Sequence, residues 1–113
     1  RFPVAASAYN TIVSDDQDLA DGDYEWVKTI DLSRIVEPVQ RVDLLKMDCE
    51  GGEYDILTPS AEKALRKVQA IRMEYHLGRA AELIAFLQRC GFRLTLHEAD
   101  RPESGRLWFE RER

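Results

Sequence analysis

The sequence has few cysteines and no long apolar run, and both absences exclude classes of protein. Its two cysteines, Cys49 and Cys90, lie far apart and outside any C-x-x-C motif, so we expect two reduced, buried thiols rather than disulfides. Charged residues interrupt every apolar stretch before the roughly 18 residues that span a membrane. The first residues resemble no signal peptide and do not begin with Met, so we expect a cytoplasmic protein whose sequence starts inside a longer gene product.

Basic residues are in the minority. Lys and Arg number 16 against 21 Asp and Glu, giving a formal net charge of -5. An acidic surface disfavours binding to phosphates, so no nucleic acid partner is predicted. The 113 residues, 44% of them hydrophobic, are enough for one compact domain with its own core.

Several catalytic and binding motifs are also missing. None of the six glycines has the G-x-G spacing of a phosphate- or nucleotide-binding loop. No G-x-S-x-G elbow is present, and the acids flanking Cys49 should raise its pKa, which disfavours nucleophilic catalysis. The two histidines, His76 and His97, have no metal-ligand spacing, and an all-carboxylate site would suit only hard cations such as magnesium. No metal site is predicted.

The regular part of the chain alternates strands and helices. Residues 1–24 are predicted to be an irregular, acidic segment, in which the stretch 14–23 fails the pattern of a calcium-binding loop. Hydrophobic periodicity predicts strands over 25–30, 42–47, 70–75, 92–96 and 106–110, and helices over 32–36, from 53, from 59 and over 80–90. This order predicts an α/β fold with a mostly parallel sheet and an antiparallel C-terminal hairpin.

Polar side chains follow two strands that should be parallel neighbours. Asp48, Glu50 and Glu53 come after strand 42–47, and Glu74 and His76 lie at the end of strand 70–75. Because ligands bind beyond the carboxyl ends of parallel strands, we expect both groups in one crevice.

Each of these residues has a structural and a functional interpretation. Asp48 and Glu50 could cap the following helix or orient a ligand. His76 could be a satisfied polar residue or a general base. Strand alternation also predicts that Lys46 and Glu74 form an ion pair on a face covered by helix.

Residues 42–57 resemble the signature of the FkbM family of S-adenosylmethionine-dependent methyltransferases, whose pattern is approximately V-D-L-L-K-I-D-V-E-G-A-E-x-x-V-L. Residues 26–32, 71–76 and 90–92 are similar to the segments that flank it in the family. The resemblance covers roughly residues 25–110. It implies a Rossmann-like methyltransferase fold, of which residues 25–113 would be the C-terminal half, lacking the N-terminal cofactor-binding strands.

The resemblance also implies roles for single residues. His76 and Asp48 would be catalytic, Asp48 and Glu50 would bind the cofactor, and Glu53 and Glu74 would contact the substrate. The implied cofactor is S-adenosylmethionine, although its Gly-rich binding loop has no counterpart here. The implied reaction is methylation of a hydroxyl on a sugar or natural-product-like small molecule.

The sequence is also compatible with two other functions, and it predicts one partner. The fold could be a non-catalytic remnant or interaction domain, or a magnesium-dependent hydrolase. Without a strand beside it, strand 42–47 is an exposed edge, which we expect a homodimer or the chain's own residues 1–30 to cover.

Overall fold

The computed structural model describes residues 2–3, 24–25 and 28–113. Strands β1 (Phe2–Pro3) and β2 (Tyr24–Glu25) pair antiparallel in a sheet of their own, and the acidic stretch 14–23 lies outside the described residues. Residues 28–30 form no regular secondary structure. The predicted strand 25–30 is therefore wrong over its last three residues, while 26–27 lie outside the described part.

The main sheet contains four strands in the order β3-β4-β6-β5. They are β3 (Leu45–Met47), β4 (Ala70–Tyr75), β5 (Phe92–Arg101) and β6 (Ser104–Arg111). β3 and β4 are parallel, whereas β6 runs antiparallel to both β4 and β5. The α/β class is confirmed, but within the described chain the prediction of a mostly parallel sheet is wrong, because the C-terminal hairpin inserts its second strand beside β4.

Strand β3 is the edge of this sheet. It is shorter than predicted, because Val42 makes only an isolated bridge to Val68. The described N-terminal strands pair with each other. They do not provide the predicted cover for the edge, and the homodimer stays a prediction.

The helices are short, and their ends follow from local sequence. They are α1 (Leu32–Val36), α2 (Glu53–Ile56), α3 (Glu62–Leu65) and α4 (Ala80–Arg89), with a 3₁₀ turn over Pro59–Ala61. The Asp31 carboxylate caps α1 by accepting a 3.0 Å hydrogen bond from the Arg34 amide, and Gly91 follows α4 with a φ of 93°. No helix in the described residues is long and apolar enough to cross a membrane.

The core lies on one face of the sheet. Alternate residues of β4 (Ile71, Met73 and Tyr75) are buried there together with Leu107 of β6 and Leu87 of α4. This alternation is what a strand half-covered by helices requires.

The opposite face carries charge. Lys46 pairs in register with Arg72, which confirms the predicted strand adjacency. Lys46 is exposed, and no ion pair joins it to Glu74 within the described chain, so the predicted pair and its helical cover are wrong. The ion pair on this face is instead made between β4 and β6, where Arg72 lies 2.8 Å from Glu110 and its guanidinium lies 4.6 Å from the centre of the Trp108 ring.

Candidate functional site

The parallel pair β3 and β4 opens a crevice at its carboxyl end. The chain leaves β3 through a tight turn in which Glu50 and Gly51 have φ values of 49° and 102°. It leaves β4 through a second turn, at Leu77 and Gly78, with φ values of 64° and 66°. The two turns approach each other, since a side chain at Gly51 would meet that of Leu77. The predicted convergence of both strand ends therefore occurs.

His76 is held in place by a buried carboxylate. Nδ1 of His76 lies 2.8 Å from Oε1 of Glu53, the first residue of α2. Oε2 of Glu53 accepts a 2.9 Å hydrogen bond from the Gly51 amide, and the side chain has 0% exposure. With Nδ1 donating to Glu53, the other ring nitrogen, Nε2, is directed away from the core. The family resemblance implies that Glu53 contacts the substrate, whereas in the structure its carboxylate is buried against Nδ1 of His76.

Nε2 of His76 faces two further carboxylates. It lies 3.5 Å from Oε2 of Glu50 and 3.8 Å from Oδ1 of Asp48. The side chains of Asp48, Glu50 and His76 are 46%, 29% and 21% exposed, so a ligand can reach them. One ligand atom from each of the three lies within 4.8 Å of the others. This crevice cluster of Asp48, Glu50 and His76 could therefore share one cation or one polar ligand group.

Carboxylates dominate the electrostatics of the crevice. Burial acts to lower the pKa of His76, but the hydrogen bond that His76 donates to Glu53 and the charges of Glu53, Glu50 and Asp48 raise it overall. The pKa of Glu74 is raised as well, first by a hydrogen bond to Asp48 and then by burial. Asp48 thus lies between His76 and Glu74, so that all five residues predicted for the site are linked through contacts to His76 or Asp48.

Tyr54 fixes the loop after His76, and sequence reasoning missed it. Its hydroxyl donates to the backbone carbonyl of His76 and accepts a 3.2 Å hydrogen bond from the Arg79 amide. The Arg79 guanidinium covers the ring at 4.2 Å. A tyrosine directly after Glu53 was the available signal, but its partner lies 22 residues further along the chain.

A cavity of about 870 Å³ adjoins the crevice on the side of Glu50. Its walls come from the segment 28–33, the turn after β3, helix α2 and the turn after β4; apolar lining residues include Ile30, Ile56 and Leu77. Cys49 also lines it, and burial, followed by the charge of Glu53, raises the pKa of its thiol. The pKa of the thiol is therefore raised as predicted, although burial contributes more than the acid that precedes it, Asp48.

Comparison with known proteins identifies the family. The Methyltransferase FkbM domain matches residues 5–94, and the chain therefore belongs to the FkbM methyltransferase domain family. It is 36% identical over 67 residues to the AMB antimetabolite synthetase AmbE of Pseudomonas aeruginosa. That alignment covers 53% of this chain and 3% of the relative, so the chain spans a small part of the relative's length. No solved structure matches.

Proposed function

We propose that this chain is part of an S-adenosylmethionine-dependent methyltransferase that methylates a hydroxyl oxygen of a small molecule. Membership of the FkbM family supports methyl transfer in general. The observation that carries the proposal is the crevice, in which buried Glu53 directs Nε2 of His76 at accessible carboxylates. A reaction that removes a hydroxyl proton needs this kind of oriented, accessible acceptor.

The charge of the crevice fits the proposed cofactor. S-adenosylmethionine supplies an electrophilic methyl group on a positively charged sulfonium, and it also carries an ammonium group. Asp48 and Glu50 are partly exposed carboxylates at the carboxyl ends of parallel strands, where ligands of such sheets bind. They would hold only part of the cofactor, because the sequence has no G-x-G loop for the rest.

The crevice and the cavity would bind different parts of the acceptor molecule. The hydroxyl would lie against Asp48 and His76, which orient it and take up its proton. The apolar walls at Ile30, Ile56 and Leu77 would hold the body of the molecule. The relative is described as an antimetabolite synthetase, which supports a natural-product-like acceptor. No observation favours the alternative of a non-catalytic remnant.

The test is methyl transfer by the full-length protein, measured with labelled S-adenosylmethionine and a panel of hydroxyl acceptors. We expect His76→Gln to lower the turnover rate by about 10²- to 10⁴-fold, the usual contribution of a positioned acid or base. His97→Gln is the matched control, because this histidine lies on β5 and contacts Tyr75 instead of the crevice. Equal turnover by the two variants would refute the role of the crevice.

A further inference from the structure

We propose that the crevice cluster of Asp48, Glu50 and His76 binds a divalent transition-metal cation. Asp48 and Glu50 follow β3 and His76 follows β4, and no metal-ligand spacing joins them along the chain, which is why spacing alone predicted no metal site. The binding of the cation does not depend on methyl transfer. Its proposed effect on the reaction does rest on the proposed function.

The distances between the side chains favour a shared cation over hydrogen bonds. Nε2 of His76 is 3.5 Å from Glu50 and 3.8 Å from Asp48, whereas a charge-assisted N–H···O bond measures about 2.7–2.9 Å. Two ligand atoms that are each about 2.1 Å from one ion, at tetrahedral or octahedral angles, lie about 3.0–3.4 Å apart. A contraction of a few tenths of an ångström would bring Nε2 of His76 to the required distance from both carboxylates, and the ligand atoms of Asp48 and Glu50, which lie within 4.8 Å of each other, would have to approach as well.

Glu53, which lies outside the cluster, orients His76 in the way that metal-binding histidines are oriented. Metal-binding histidines generally donate their other ring N–H to a carboxylate or carbonyl, which fixes the ring and the coordinating nitrogen. Glu53 does this here through Nδ1 at 2.8 Å, and its own position is fixed by burial and by the Gly51 amide. Nε2 is thereby presented to Asp48 and Glu50 as a lone-pair donor.

The types of ligand atom restrict which metal ion can bind. One imidazole nitrogen and two carboxylate oxygens suit Mn²⁺, Fe²⁺, Co²⁺ or Zn²⁺ better than Mg²⁺ or Ca²⁺, which prefer oxygen ligands alone. Three protein ligands leave coordination positions open for water or for an acceptor oxygen. Glu50 lies at the boundary of the cavity, so the open positions would be accessible from it.

A cation at this point would refine the proposed methyl transfer. It would lower the pKa of a coordinated hydroxyl, so that the acceptor oxygen loses its proton to solvent and attacks the methyl group as an alkoxide. The methyl carbon forms its bond to that oxygen as its bond to the sulfonium sulfur breaks, and the electron pair stays on sulfur. With the cation bound, His76 and Asp48 would be its ligands, and solvent would take up the proton that the proposed function assigns to these two residues in the absence of a cation.

The test is titration of the metal-stripped full-length protein with MnCl₂, followed by calorimetry and by electron paramagnetic resonance. We expect a site whose Kd is below about 100 μM and whose spectrum shows coupling to one histidine nitrogen. His76→Gln should abolish the coupling, and Asp48→Asn and Glu50→Gln should each weaken this site at least tenfold. Glu53→Gln should weaken it about 10- to 100-fold without removing a ligand.

Asp43→Asn is the matched control. It removes one carboxylate near the opposite end of β3, where Asp43 is paired with Arg41, and it should leave Mn²⁺ affinity unchanged. Circular dichroism verifies that each variant is folded. A Kd above about 1 mM, or a site with the same affinity in all variants, would overturn the proposal. Mn²⁺ binding without methyl transfer would support the cation site and reject the proposed function. Methyl transfer without Mn²⁺ binding would support the proposed function and reject the cation site.

Discussion

The buried carboxylate of Glu53 lies 2.8 Å from Nδ1 of His76 and so joins the start of α2 to the end of β4. Glu53→Ala should lower the free energy of unfolding by about 3 kcal/mol, because it leaves the imidazole and the Gly51 amide without their buried partner. Urea unfolding measures the change. Glu112→Ala, which removes an exposed carboxylate, should change stability by less than about 0.5 kcal/mol. Equal effects of the two substitutions would contradict the role of Glu53.

Tyr54→Phe should loosen the loop that follows His76. The hydroxyl bonds both the His76 carbonyl and the Arg79 amide, so its loss should cost about 1–1.5 kcal/mol of stability. Amide hydrogen exchange should become faster at Arg79. Tyr75→Phe, whose hydroxyl contacts His97 instead, should leave the Arg79 amide protected. Unchanged exchange at Arg79 in the Tyr54 variant would show that the loop is held by other contacts.

Gly105→Ala should disrupt the β5–β6 hairpin. A Cβ at this position would lie 2.3 Å from the Glu98 carbonyl oxygen, 2.8 Å from Ala99 Cα and 2.8 Å from the Tyr75 hydroxyl. Because backbone cannot move aside as a flexible side chain can, we expect a loss of at least about 2 kcal/mol in the free energy of unfolding. Ser104→Ala tests the neighbouring position, where only an exposed 2.9 Å hydrogen bond to Asp100 is lost. A Gly105 variant as stable as the Ser104 variant would contradict this geometry.

The edge of β3 should pair with a second copy of the chain. Its neighbour Leu44 is 53% exposed, and within the described residues β3 has a strand on one side only. We expect light scattering to report twice the 13.0 kDa mass of the chain. Leu44→Lys should lower the mass to that of the monomer, because a charged side chain at a strand edge disfavours pairing with another strand. Ile35→Lys, an exposed change on α1, should keep the dimer, and a monomeric parent chain would refute the pairing.

The parts of the fold that local sequence determines could be predicted. Helix α4 was predictable because its apolar residues recur at helical spacing and Gly91 ends it. The crevice was predictable because parallel strands bring their carboxyl ends to one edge, which places Asp48 and His76 together.

Other features depend on long-range packing and could not be predicted. Hydrophobic alternation indicates that β5 and β6 are strands, but it does not indicate which of them lies beside β4. The same alternation placed Lys46, Arg72 and Glu74 on one face but did not indicate which of them would be paired, since Glu110 and Trp108 reach Arg72 only through β6. Glu53 was expected to contact the substrate, and its burial against His76 depends on a contact 23 residues away that the local sequence does not indicate.

The proposed function is tested most directly by identifying the product that the full-length protein makes from S-adenosylmethionine whose methyl group carries ¹³C. We expect the labelled carbon to appear on an oxygen of a small-molecule acceptor, with the carbon chemical shift of a methyl ether. We also expect the label to stay on the cofactor when His76→Gln replaces the parent protein. Label on nitrogen, sulfur or carbon, or equal transfer by the His76 variant, would contradict the proposed function.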